Sequence, residues 1–147
     1  MGSEIVFGSA FGKTGYFATI LIALICGVLI ATVESLRMAG IVIFVVIEAL
    51  ILFTAKSIRY TFDDEKLSVF VPFEFDVAPA HYDSVWKVVD TNRGMVMNQH
   101  GMGGDVIQIW YDHGKGHYVC ISPKDKGRAM AILRERCPNA EFIIDRR

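Results

Sequence analysis

Cysteine, histidine and proline are all scarce in this chain of 147 residues, which holds three, four and four of them. Cys26, Cys120 and Cys137 stand at no spacing used by a metal site or a redox pair, so reduced, buried thiols are expected. His81, His100, His113 and His117 join no Ser/His/Asp grouping and no Cys–His motif, and there is no phosphate-cradling glycine loop. Catalysis, a cofactor and a resident metal are therefore not expected. An excess of one charge is also missing, the net being −1, and no nucleic-acid partner is expected. Lys13 is the only cation before the first apolar run, and a second such run follows at once, a pattern that fits a cleaved signal peptide poorly. "MGSEIV" has neither Ser nor Thr at its sixth position, which argues against N-myristoylation.

Apolar residues are what the chain has in abundance. They make up 52% of it, with a mean hydropathy of +0.37, and the excess lies early. Residues 15–33, "GYFATILIALICGVLIATV", carry no charge, and residues 38–55, "MAGIVIFVVIEALILFTA", carry only Glu48. At about 1.5 Å per residue each reaches roughly 27–29 Å as a helix, close to the ~30 Å hydrocarbon core of a bilayer. The rest of the chain is too small and too polar to surround both runs. A membrane anchor of two transmembrane helices, about 15–33 and 38–55 within residues 1–57, is expected, with a separate domain over 58–147. Lys13, Lys56 and Arg59 flank the runs on one side against Arg37 on the other. The positive-inside bias predicts a multi-pass protein of the cytoplasmic membrane with both termini in the cytoplasm.

From Ile58 the pattern changes to short alternating runs: "IRYTF" and "LSVFV" around the turn "DDEK", then "FEFDV", "SVWKVVD", "DVIQIWY" and "HYVCI". A seventh strand is placed around 94–98. One amphipathic helix closes the domain. Ser122 is expected as its N-cap, with Pro123 at N1 and Asp125 at N3. Met130, Leu133 and Cys137, with Ala129 and Ile132 beside them, form its apolar stripe, and Pro138 stops it. Strands followed by one helix predict an α+β barrel or sandwich with the helix plugging an open end.

Two apolar runs, the segment "YTFDDEKLSVFVPF" and the ending "ISPKDKGRAMAILRERCPNAEF" together resemble the YyaB-like bacterial PH-domain membrane proteins. The resemblance covers most of the chain; the Met- and Gly-rich "GMVMNQHGMGGD" departs from it. It implies a PH-like split β-barrel of seven strands capped by a C-terminal helix, and no catalytic activity. The turn Asp63-Asp64-Glu65-Lys66 is net negative where lipid-binding PH domains carry cations, which disfavours phosphoinositide recognition.

Several residues are candidates for function. Glu48 lies mid-run, where an ionised carboxylate costs several kcal/mol unless it is paired. It points to a neutral acid in helix association, a contact with another subunit, or a conduit or sensor built around it. Small residues at Gly27, Ala31 and Gly40 would allow close helix approach, although they form no GxxxG. Lys56, Arg59, Lys124, Lys126 and Arg128 are candidates for contact with anionic headgroups or with a partner. Charge is split along the domain: residues 60–112 hold nine acids against three bases, and 113–147 eight bases against four acids. Such halves offer a head-to-tail contact between copies. Met95, Met97 and Met102 make an adaptable apolar loop suited to a partner. His113 and His117 would face each other across "HGKGH", while Asp112, one residue off, is expected on the opposite face. Trp86, Trp110 and Tyr111 are expected in the core. The function these features predict is a non-enzymatic interaction module at the lipid bilayer that binds another protein or assembles as a homo-oligomer.

Overall fold

The computed structural model describes residues 4–10, 13–32, 37–72, 79–92, 105–112 and 115–145. The chain opens with a short strand, β1 (Ile5–Gly8), and then two helices, α1 (Lys13–Thr32) and α2 (Arg37–Ser57). It returns in β2 (Arg59–Phe62) and β3 (Lys66–Phe70), followed by the two-residue β4 (Ala80–His81). A 3-10 turn at Tyr82–Ser84 leads into β5 (Val85–Thr91), β6 (Val106–Tyr111) and β7 (His117–Ile121). Helix α3 (Lys126–Arg136) and strand β8 (Glu141–Asp145) complete the order.

The helical pair is an excursion from one sheet. β1 and β2 are neighbours, antiparallel, with Gly8 opposite Arg59 and Ile5 opposite Phe62. The chain therefore leaves the sheet after Gly8 and re-enters it at Arg59, beside the place it left. Alternation sets the faces: Phe7, Tyr60, Phe62, Leu67 and Val69 point inward, while Arg59, Ser68 and Phe70 point out. This first sheet runs β1-β2-β3-β4. At the 3-10 turn the chain crosses into the second sheet, ordered β7-β6-β5-β8.

Strand β8 is parallel to β5, with Val88 opposite Phe142, whereas β5, β6 and β7 alternate in direction. Helix α3 is thus a crossover between the parallel strands β7 and β8, passing over the two between them. Its Ala129, Ile132 and Leu133 share one apolar core with the inner faces of both sheets. Asp125 caps it by accepting from the Arg128 N–H at 3.0 Å, a cap that contributes about 1 kcal/mol. At the other end Cys137 donates to the Leu133 carbonyl at 2.8 Å, and Pro138 cannot extend the helix.

Three expectations are corrected here. The PH-like split barrel is not formed. Among the described residues the strands lie in two four-stranded sheets that close no barrel, and the last described element is β8 rather than the helix. The anchor of two transmembrane helices is not met either. Among the described residues only Met38–Ser57 is long and apolar enough to cross a membrane. The apolar stretch of α1, Thr19–Thr32, falls short of that length, reaching about 21 Å against a ~30 Å core. The multi-pass cytoplasmic-membrane topology falls with it, since it required both spans. The expected strands over 73–77 and 94–98 lie outside the described residues.

Candidate functional site

The helical pair and the two sheets meet at one junction, built from residues far apart in sequence. Helix α2 ends at Ser57 and β2 begins at Arg59, with the buried Ile58 between them and no linker. The Ile58 N–H still bonds the Thr54 carbonyl at 3.2 Å, as in a helix, while its own carbonyl accepts from Ser9 at 3.2 Å, as in a sheet. Beyond β1 the chain runs along the loop before α3. Ser9 bridges to Pro123, Lys124 donates to the Gly8 carbonyl at 3.0 Å, and Ala10 donates to Ser122 at 2.6 Å.

Three hydroxyls fill the inside of this junction. The Tyr60 hydroxyl donates to Ser9 Oγ at 3.1 Å and accepts from the Ser122 N–H at 3.2 Å. The Ser9 and Ser122 hydroxyls lie 3.3 Å apart. All three side chains are buried, and burial pushes the Tyr60 phenol up from its usual range, against the lowering effect of its serine hydrogen bonds. The described histidines stand elsewhere: His81 at the edge of the first sheet opposite Lys66, His117 at the start of β7. The network ties strand, loop and sheet together; it is not arranged as an activated nucleophile. Ser122 is thus the buried centre of the joint, not the helix N-cap it was expected to be. "S-P-K-D" offers two capping residues, and Asp125 takes the role.

The outside of the junction is basic. Lys56 occupies the last turn of α2, Arg59 opens β2, and both are exposed. The Lys124 side chain lies along Gly8, its Cε 3.7 Å from where a β-carbon there would stand. Of the candidate cations, Arg59 and Lys124 share this face, and Lys56 precedes Arg59 by three residues on the helix that feeds β2. Arg128 sets its guanidinium 6.0 Å from the Phe7 ring centre. Lys126 turns away, pairing with the buried Asp90 at 2.5 Å and with Asp105.

The opposite end of the first sheet carries an open groove of about 340 Å³ lined by Asp64, Glu65, His81, Tyr82, Asp83 and Arg136. Arg136 holds it together by donating to the Asp63 carbonyl and to the Tyr82 hydroxyl at 3.4 Å. It also pairs with Asp64 at 3.6 Å. Burial pushes the Tyr82 phenol up, with Arg136 opposing. Burial likewise raises the Cys120 thiol to about 12 and the Cys137 thiol to about 11, the latter against the pull of Arg136. Both are inert as nucleophiles at neutral pH.

No family model matches the chain, and no curated protein or solved structure matches it. Among the described residues one helix is long and apolar enough to cross a membrane, and no three His, Cys, Asp or Glu side chains group to hold a metal.

Other candidates fall where they can be placed. In α2, Glu48 Oε1 is buried without a hydrogen-bond partner among the described residues. Gly40 brings the helices close, since a β-carbon there would stand 2.9 Å from Ile30, whereas one at Gly27 would touch nothing within 4 Å. Asp112 does meet His117, at 3.5 Å. Its φ of 55° takes it out of strand alternation, which is why the face expected for it was wrong. Trp86 and Trp110 are half-buried against each other and Tyr118, under Lys87, outside the core expected for them. Tyr111 packs against the core from its edge. Met95, Met97, Met102, His100 and His113 lie outside the described residues.

Sequence reasoning did not single out Gly8, Ser9 or Tyr60 for a site, although Tyr60 falls in an expected strand. β1 is four residues long, and its partner strand follows a fifty-residue excursion, so no local period signals the pairing.

Proposed function

We propose that the chain is a non-catalytic, membrane-linked interaction module. Its helical excursion associates with a lipid bilayer, and its two-sheet domain, held at the bilayer surface, binds protein, including further copies of itself. The observation that carries this reading is the junction. A helix with many exposed apolar side chains runs straight into β2, and the hydroxyl network ties that point to the loop before α3 and to the segment just after β1. A membrane-associated segment joined in this way fixes the domain's orientation instead of tethering it loosely.

Two further observations support it. The large side chains of α2 face outward, which water would penalise and lipid would not. Glu48 keeps an oxygen buried without a partner within the described residues, and a second copy packing on the helices would supply one. The test is native mass measurement of the full chain in lipid nanodiscs, combined with vesicle flotation. Co-flotation with more than one copy per disc is expected. A strict monomer at high protein density overturns self-assembly, and failure to float overturns the membrane link.

A further inference from the structure

We infer that Lys56, Arg59 and Lys124 form a collar that binds the phosphates of anionic lipids in the bilayer surface, which rests on the reading that the helical pair associates with a bilayer.

The collar is a product of register. Residues paired across antiparallel strands point to the same face, so Gly8, Arg59 and Phe70 share the outer face of the first sheet at the end nearest the helices. Gly8 has no side chain, and the space is taken by the Lys124 chain, whose Nζ lies 3.9 Å from where a β-carbon would stand. That sets the Lys124 ammonium on the same face as the Arg59 guanidinium. The backbone of Lys124 is itself bonded to Gly8, so this cation is built into the joint rather than carried on a free loop. Lys56 precedes Arg59 by three residues, on the helix that feeds the strand. All three are exposed, and none makes an ion pair among the described residues.

Depth agrees with this assignment. Outward apolar side chains continue down α2 as far as Phe53, and Lys56 follows about 4.5 Å further along the axis. Cations placed just beyond an apolar helical run fall in the headgroup layer. Phe70, 59% exposed, adds a ring to the same face. Further along that face come the neutral Thr61, Ser68 and Val6, and the turn at its far end is Asp63, Asp64 and Glu65. An anionic surface therefore attracts one end of the sheet and repels the other. Lys126 is excluded from the collar because Asp90 and Asp105 already neutralise it.

The test uses the full chain in phosphatidylcholine bilayers carrying trace spin-labelled phosphatidylglycerol or spin-labelled phosphatidylcholine. Electron spin resonance then measures the motionally restricted fraction of each lipid. A larger restricted fraction is expected for phosphatidylglycerol, weakening with salt. Lys56→Gln, Arg59→Gln and Lys124→Gln should each reduce that preference by roughly fivefold at low salt, and the triple variant should abolish it. Lys126→Gln should leave it in place. Thermal unfolding of the triple variant should match the parent chain, because the three side chains are exposed and unpaired. Equal restriction of the two lipids, or a preference surviving in the triple variant, overturns the collar while leaving the membrane link standing. No restricted component with either lipid overturns both.

Discussion

The helical pair and the two-sheet domain use the same apolar residue types and place them in opposite ways. In α2, Ile41, Val42, Ile43, Val45, Val46, Leu50, Leu52 and Phe53 are exposed; in the domain, Leu67, Ile107, Ile109, Ile121 and Leu133 are fully buried. Polar groups follow the same division. Thr32 and Thr54 return their hydroxyls to the carbonyls four residues back, each at 2.8 Å, so each is satisfied within its own helix. Ser9, Tyr60 and Ser122 bond to one another across segments far apart in sequence. Bonding inside the helices is local and asks for an apolar surrounding; bonding inside the domain is tertiary and asks for a particular fold.

This contrast predicts that the same substitution has different consequences in the two regions. Leu133→Ala in α3 should cost the domain about 2–5 kcal/mol, through lost transfer energy and the cavity left behind. Leu50→Ala in α2 should leave domain unfolding unchanged and instead weaken association with vesicles. Both tryptophans of the chain, Trp86 and Trp110, lie in the second sheet, so denaturant titration followed by tryptophan fluorescence reads the domain alone. Equal loss of stability in both variants would mean that α2 packs into the core, and the contrast would fail.

Alkaline pH should separate the regions next. Burial raises Cys120 to about 12 and Cys137 to about 11, from 9.0. Each folded pKa lies above its unfolded value, so the neutral thiol is favoured in the fold. Its contribution is complete below about pH 9 and is lost as pH rises through 11 to 12, at about 1.4 kcal/mol per unit of displacement. Domain stability, from denaturant titration read by tryptophan fluorescence, should begin to fall above about pH 9, and Cys137→Ala should blunt that dependence even though it lowers stability at pH 7. An unchanged pH profile in the variant would assign the alkaline loss to Cys120 and to Tyr60 and Tyr82, which burial raises as well.

Legibility from sequence divides along the same line. β2, β3, β5, β6 and β7 were readable because alternation is local, and so was the α3 stripe, whose Ala129, Ile132, Leu133 and Cys137 are buried as their spacing demands. β1 and β8 were not readable. Each is a short strand that becomes one only through a distant partner: Phe7 opposite Tyr60, Phe142 opposite Val88. Missing β8 turned a crossover helix into a terminal cap, while the split-barrel expectation came from the family resemblance. The cations illustrate the limit within a single segment. Lys124 and Lys126 are two residues apart and equivalent in composition, yet one lies along Gly8 and the other pairs with Asp90. The difference comes from tertiary pairing, the bond of the Lys124 N–H to Gly8 and the placing of Lys126 beside Asp90.

The bridge between Ser9 and Pro123 is where the comparison can be sharpened most finely, because the junction belongs to both regions. Tyr60→Phe removes a hydroxyl that accepts the Ser122 N–H and donates to Ser9, leaving a buried donor unsatisfied at about 1–3 kcal/mol. The ring remains, so the core beside Phe7 and Phe62 keeps its packing. If the hydroxyls hold the helical excursion to the domain, the loss should be local. Hydrogen exchange should accelerate at the Ala10 and Lys124 amides, which bond across the joint to Ser122 and Gly8. Amides in the middle of α2 should remain as protected as before, because their bonds close within the helix. Uniform acceleration over both regions would show that helices and domain unfold as one unit. Unchanged exchange at Ala10 and Lys124 would reduce the network to space-filling and leave the backbone bridge alone as the fastening.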